Sequence, residues 1–109
     1  MFNFYQMAGN HEERKVDNFK LDNLVIDTCY VTDGDKDYET AVSHPNYNKG
    51  KWVIVESYDT KKEAQIGHNK WKKIMTSDTL PDKLIDCLND ETSQFADLFG
   101  RNNEFNREN

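Results

Sequence analysis

The most constraining stretch of the chain is residues 52–71, in which Trp52-Val53-Ile54-Val55-Glu56-Ser57-Tyr58 runs through Asp59-Thr60 straight into Lys61 and the residues up to Trp71. The first part has the β-branched and aromatic content of a strand. Thr60 and Glu63 have the S/T-x-x-E spacing of a capping box, where the Thr hydroxyl accepts from the Glu63 amide and the Glu63 carboxylate reaches back to the Thr60 amide. Beyond the cap, Ala64, Gly67, Trp71, Ile74 and Met75 recur at helical intervals as one apolar stripe, with Lys61, Lys62, Lys70, Lys72 and Lys73 mostly elsewhere on the helix surface. Gly67 inside this helix costs about 1 kcal/mol relative to Ala. Its presence implies that the helix approaches the sheet, or a partner, closely at that point.

Upstream, Leu24–Val31 is rich in β-branched and aromatic residues and bounded by Asp22-Asn23 and by Thr32-Asp33-Gly34-Asp35, which predicts a central strand. Tyr38–Ser43 is the next strand, residues 45–50 form a loop, and the strand at 52–58 returns antiparallel. An edge strand is expected over Arg14–Lys20. Downstream, Thr76 to Pro81 supplies caps and a proline suited to a first helical turn. A second helix is expected there, with Leu84, Cys87 and Leu88 on one side and Asp82, Asp86 and Asp90 repeating every four residues on another. Thr92 then caps a third helical segment, Ser93–Phe99, ended by Gly100. The expected fold is α+β: an antiparallel three- to four-stranded meander packed against two or three C-terminal helices. Residues 11–100 form the single domain, residues 1–10 an N-terminal arm and residues 101–109 a polar C-terminal tail.

The net charge of −6 argues against a nucleic-acid partner, since the long-range field is repulsive to phosphate and no Arg-rich basic stripe offsets it. The charge is unevenly placed. Residues 60–76 hold five Lys and one Glu, or +4, and residues 77–99 hold five Asp and one Glu against one Lys, or −5. Cys29 and Cys87 read as two reduced, buried thiols, in keeping with a cytosolic setting. No stretch approaches the ~18 apolar residues of a membrane span, and no basic, then apolar, opening suggests secretion.

Few residues have the spacing of a chemical site. Asp33-Gly34-Asp35-Lys36-Asp37-Tyr38-Glu39 alternates carboxylates as a calcium loop does, but Tyr38 stands at the glycine position and His44 where a bidentate Glu belongs, so an acidic hairpin turn is the reading. His11, His44 and His68 have no zinc-ligand spacing. Cys29 or Ser57 could act as a nucleophile only if the fold brought one of them to His68; His68 itself reads as a boundary residue hydrogen-bonded to backbone. Trp52, Tyr58 and Trp71 read as core. The chain is therefore expected to be no enzyme and to need no cofactor or metal. The residues that suggest protein contact are Phe2, Phe4, Tyr5 and Met7 of the arm, Tyr47 as an exposed loop aromatic, and the acidic Asp82, Asp86, Asp90 and Glu91.

Tyr38, Glu39, Thr40 and Val42, then Trp52, then Tyr58-Asp59-Thr60 with Glu63-Ala64 and Gly67-His68 together resemble a group of short phage-encoded proteins. Those share a Y-E-T-x-V strand, a variable hairpin containing a Trp, and a Y-[DN]-T-x-E/K-E-A-x-x-G-H helix entry. The likeness spans roughly residues 38–75 and implies a bacteriophage or prophage origin, with no activity attached. The expected function is a non-enzymatic protein-interaction protein, foremost a virion or assembly accessory component located in the host cytoplasm or the virion. The alternatives are an early inhibitor that grips a host enzyme or anti-phage defence factor through its acidic face, and a small-ligand-binding or hydrolytic domain using His68. Partners are expected to be proteins, a second copy of the chain included, and neither nucleic acid nor membrane.

Overall fold

The computed structural model describes residues 14–32, 36–87 and 104–108. Four strands, β1 (Lys15–Leu21), β2 (Leu24–Tyr30), β3 (Tyr38–Ser43) and β4 (Val53–Tyr58), pair antiparallel in the order β1-β2-β3-β4. This is the four-stranded meander, with the apolar β2 in its interior. The turn between β1 and β2 uses Asp22 at φ 53°, a left-handed conformation that Asp adopts more readily than most residues. The loop from β3 to β4 closes through a 3₁₀ turn at Asn48–Gly50.

Helix α1 (Lys61–Met75) follows β4 after two residues and lies across one face of the sheet. Thr60 is its N-cap, and the Thr60 Oγ1 accepts from the Glu63 N–H at 3.1 Å. The other half of the expected box is rearranged: the Glu63 carboxylate takes the Thr60 hydroxyl at 3.0 Å rather than its amide. At the far end the Thr76 N–H and hydroxyl both donate to the Lys72 carbonyl.

A β-bulge decides what the helix covers. In the pairing of β3 with β4, Thr40 faces Glu56 but Ala41 faces Ile54, so Val55 is an extra residue. Because side chains alternate with period two, one extra residue reverses the faces on either side of it. Glu56 and Tyr58 therefore share the helix-covered face with Val53, whereas Ile54 and Trp52 face the opposite way. Two clusters result. Leu24, Ile26, Val42, Tyr47, Val53, Met75 and Leu84 pack together, with Phe19, Trp71 and Ile74 against them. On the opposite face lie Cys29, Val31, Ala41 and Ile54, flanked by Trp52 and Cys87.

The C-terminal part departs from expectation. Among the described residues there is one α-helix, not two or three. Residues Lys83–Ile85, expected within a second helix, form strand β5, which pairs antiparallel with β6 (Glu104–Asn106). The physical reason lies in both energetics and pattern. Three aspartates at i, i+4 spacing repel one another on a helix, whereas as a strand the segment buries Leu84 and leaves Lys83 and Ile85 outside. Lys83 then pairs with Glu104 across the ribbon. The Cys87 N–H donates to the Ile54 carbonyl at 2.8 Å, which ties the segment to β4. Part of the expected polar tail is thus structural: Phe105 packs against the core, and the Arg107 and Glu108 amides donate to the Asp82 and Asn46 carbonyls. The expected helix at 93–99 lies outside the described residues. Among the described residues no helix is long and apolar enough to cross a membrane.

Candidate functional site

Among the described residues, a dense group of chemistry-bearing side chains lies between α1 and the sheet. Gly67 puts the helix backbone directly on the Tyr58 ring, and an added Cβ would lie 2.1 Å from the Tyr58 hydroxyl oxygen. The close approach expected from Gly67 is therefore to the sheet. It seats His68 in the interior, 1% exposed, where its Nδ1 lies 2.8 Å from the Thr28 Oγ1. The imidazole bonds to a side chain of β2, not to backbone as its boundary reading supposed.

From His68 a chain of hydrogen bonds crosses three strands. Thr28 Oγ1 lies 2.6 Å from Thr40 Oγ1, and Thr40 Oγ1 lies 3.0 Å from the Tyr58 hydroxyl. Tyr58 in turn donates to Glu56 Oε1 at 3.2 Å. That same oxygen accepts from Lys70 Nζ at 2.5 Å and from the Trp71 indole N–H at 2.9 Å. An ionised Glu56 only accepts, so Lys70, Trp71 and Tyr58 donate to it. The Thr28 and Thr40 hydroxyls link Tyr58 to the His68 Nδ1. His68 Nε2 faces Asp17 Oδ2 at 3.8 Å. Asp17 also accepts from the Gln65 side-chain amide at 2.8 Å.

The electrostatics follow the same lines. Burial pushes the His68 pKa below its ordinary value, against the opposing pull of Asp17 and Asp27 and with help from Lys72. Burial also pushes the Tyr58 hydroxyl up, which keeps it a protonated donor. For Glu56, burial alone would raise the pKa, but the hydrogen bonds from Lys70 and Trp71 and the Lys70 charge bring it below the usual value. Asp17 is likewise lowered: its burial is outweighed by hydrogen bonds from Gln65 and the Asn18 N–H and by His68 and Lys72.

This arrangement is suited to holding a helix on a sheet and ill suited to turnover. A catalytic base needs access to its substrate, and the His68 ring is enclosed. The nucleophiles that could have joined it lie elsewhere: Cys29 is buried on the opposite face of the sheet, and Ser57 Oγ points to Cys87 Sγ at 3.5 Å. Among the described residues no three His, Cys, Asp or Glu side chains converge as a metal site would require.

The residues expected to contact a partner fare differently. Tyr47 is fully buried in the core, and its hydroxyl donates to the Pro81 carbonyl at 2.5 Å. Its reading as an exposed loop aromatic is corrected: the polar neighbours Asn46 and Asn48 belong to the turn, while the ring turns inward and stacks edge-on with His44. Asp82 is 96% exposed and lies 3.7 Å from the Arg107 guanidinium. Asp86 is half-buried just past the end of β5, so the two are not successive rungs of a helical ladder. Phe2, Phe4, Tyr5, Met7, Asp90 and Glu91 lie outside the described residues, as do His11 and residues 33–35 of the acidic turn.

A surface that was not singled out from the sequence is the outward side of α1. Lys62, Ile66, Asn69, Lys70 and Lys73 are exposed on it, with Ile66 at 62%. Their spacing of three and four residues is the sequence signal of this stripe, opposite the apolar one. No family model, curated protein or solved structure matches the chain.

Proposed function

We propose that the chain is a small phage-encoded, non-enzymatic protein-interaction protein, a virion or assembly accessory component, and that its partner contact is made by the outward side of α1. The observation that carries the contact is the composition of that surface: an exposed isoleucine ringed by lysines, on a chain that is otherwise acidic. The helix residues 60–76 carry +4 of a total of −6, which leaves −10 on the rest. Such a surface fits an acidic protein that offers an apolar side chain between its carboxylates, with charge setting orientation and encounter rate and Ile66 supplying the desolvated centre. The phage setting rests on the sequence pattern of residues 38–75.

The buried hydrogen-bond series supports the non-enzymatic side of the reading, because its members satisfy one another. The acidic-face inhibitor receives less support, since the aspartate ladder it relied on is broken by β5. The test combines location and surface. Mass spectrometry of purified virions should find the chain, and Ile66→Asp with Lys62→Glu and Lys73→Glu should abolish incorporation while leaving the thermal midpoint unchanged. Absence of the chain from virions would refute the assembly role, and undiminished incorporation of the triple variant would refute the helix contact.

A further inference from the structure

Apart from the outward side of α1, a second surface combines charge with shape. At the end of the sheet where β1 enters and α1 begins, Arg14, Lys15, Val16, Tyr30, Tyr38 and Lys61 enclose a groove of about 180 Å³. Among the described residues, its lining holds three cations and no carboxylate, in a chain with 20 acidic and 14 basic side chains. Among the described residues, neither Arg14 nor Lys61 takes part in an ion pair. Two such cations facing one groove favour an anion, and the N-terminal end of α1 beside Lys61 adds the positive end of the helix dipole.

Backbone and aromatic geometry shape the groove further. In the pairing of β1 with β2, Lys15 faces Cys29 but Asp17 faces Thr28, so Val16 is an extra residue and β1 bends where it borders the groove. Bulges of this kind re-aim the side chains beside them. On the other wall Tyr30 and Tyr38 stand opposite each other across β2 and β3, edge to face at 5.5 Å and 73°. Tyr30 is 38% exposed, so part of its ring is open to a planar group.

We infer that this groove binds a mononucleotide, its phosphate held between Arg14 and Lys61 and its base laid against Tyr30. The pairing of a guanidinium, which chelates phosphate oxygens through its fork, with an exposed aromatic ring matches the two parts of such a ligand. The groove is smaller than the ~300–1,000 Å³ of a site that engulfs a drug-sized molecule. The phosphate and sugar therefore fill it, and the base rests at its rim.

The full-length chain, labelled with ¹⁵N, is titrated with 5′-AMP, and in parallel with adenosine, inorganic phosphate and phenyl phosphate. Saturable shifts at residues 14–16, 30, 38 and 61 with a Kd on the order of 1 mM or tighter are expected. Arg14→Gln with Lys61→Gln should weaken AMP at least about tenfold, as loss of charge-assisted bonds to phosphate implies. Tyr30→Leu should weaken AMP but leave inorganic phosphate unaffected. Both variants are checked for an unchanged thermal midpoint. No saturable shift at these residues, or AMP affinity unaffected by the double variant, would overturn the site. Inorganic phosphate binding as tightly as AMP would overturn the role given to the base, and tighter binding of phenyl phosphate would overturn the nucleotide assignment.

Discussion

Replacing Gly67 by Ala tests the seat of the helix most directly. On propensity alone the substitution should stabilise α1 by about 1 kcal/mol, since Gly is the poorer helix former. The structure opposes that gain. A Cβ at Gly67 would meet the Tyr58 hydroxyl oxygen at 2.1 Å and its Cε1 and Cζ at 2.3 Å, more than an ångström inside ordinary contact. The ring cannot swing aside freely, because its hydroxyl is held by Thr40 at 3.0 Å and Glu56 at 3.2 Å. Forced overpacking costs about 1–3 kcal/mol, and loss of the two hydrogen bonds adds about 1 kcal/mol each. Net of the propensity gain, Gly67→Ala should destabilise by about 2–4 kcal/mol. In urea at a slope of ~1.5 kcal/mol per M, the midpoint should fall by roughly 2 M. Tyr58→Leu made with Gly67→Ala should recover part of the loss, so that the double variant is more stable than the sum of the two single changes implies. A Gly67→Ala protein as stable as the parent or more so would refute the contact and leave propensity as the whole effect. Additive single changes would show that the clash is not with Tyr58.

Two further outcomes follow from the buried polar groups. The folded-state pKa of His68 is depressed by burial, so the unfolded chain binds the proton first as pH falls. The stability due to neutral His68 is thus complete above its unfolded value near 6.5 and is lost on acidification through the folded value, with a slope of at most ~1.4 kcal/mol per pH unit for one proton. Urea midpoints between pH 7.5 and 5 should fall for the parent and much less for His68→Gln, and NMR titration of the ring should give a value below 6.5. Stability that rises on acidification, or a ring titrating at or above the unfolded value, would contradict this. Tyr47→Phe leaves the Pro81 carbonyl without the hydroxyl that it accepts from and should cost about 1–3 kcal/mol, read by thermal unfolding. A neutral substitution would show that solvent replaces the bond and that the ring, not its hydroxyl, is what the core requires.

How far the fold could be read from the sequence depended on whether a local pattern agreed with its tertiary surroundings. The meander and α1 were legible because strand composition, the Thr60 cap and the apolar stripe all point the same way, and packing reinforces each of them. The Pro81–Asp86 stretch was misread because its apolar spacing suits a helix, whereas its charge spacing does not. Burial of Leu84 and the tie from Cys87 to Ile54 then decided for a strand. Tyr47 was misread because its neighbours are polar, and nothing local reveals that a distant carbonyl at Pro81 receives its hydroxyl.

The bulge at Val55 left no mark of its own in the sequence, yet without it Glu56 and Tyr58 would share a face with Ile54 rather than with Val53. Its effect is visible indirectly. Thr40, Tyr58, Gly67 and His68 are four positions spread over three elements, and the structure brings them into one contact group. Such a grouping is what a close helix-to-sheet contact requires. Gly67 admits the Tyr58 ring, the hydroxyl of Tyr58 needs Thr40, and Thr40 passes the polarity through Thr28 to His68. These side chains are engaged in holding α1 against the sheet, which leaves Lys62, Ile66 and Lys73 on α1 and Arg14 in the groove as the positions at which the proposed contacts are to be tested.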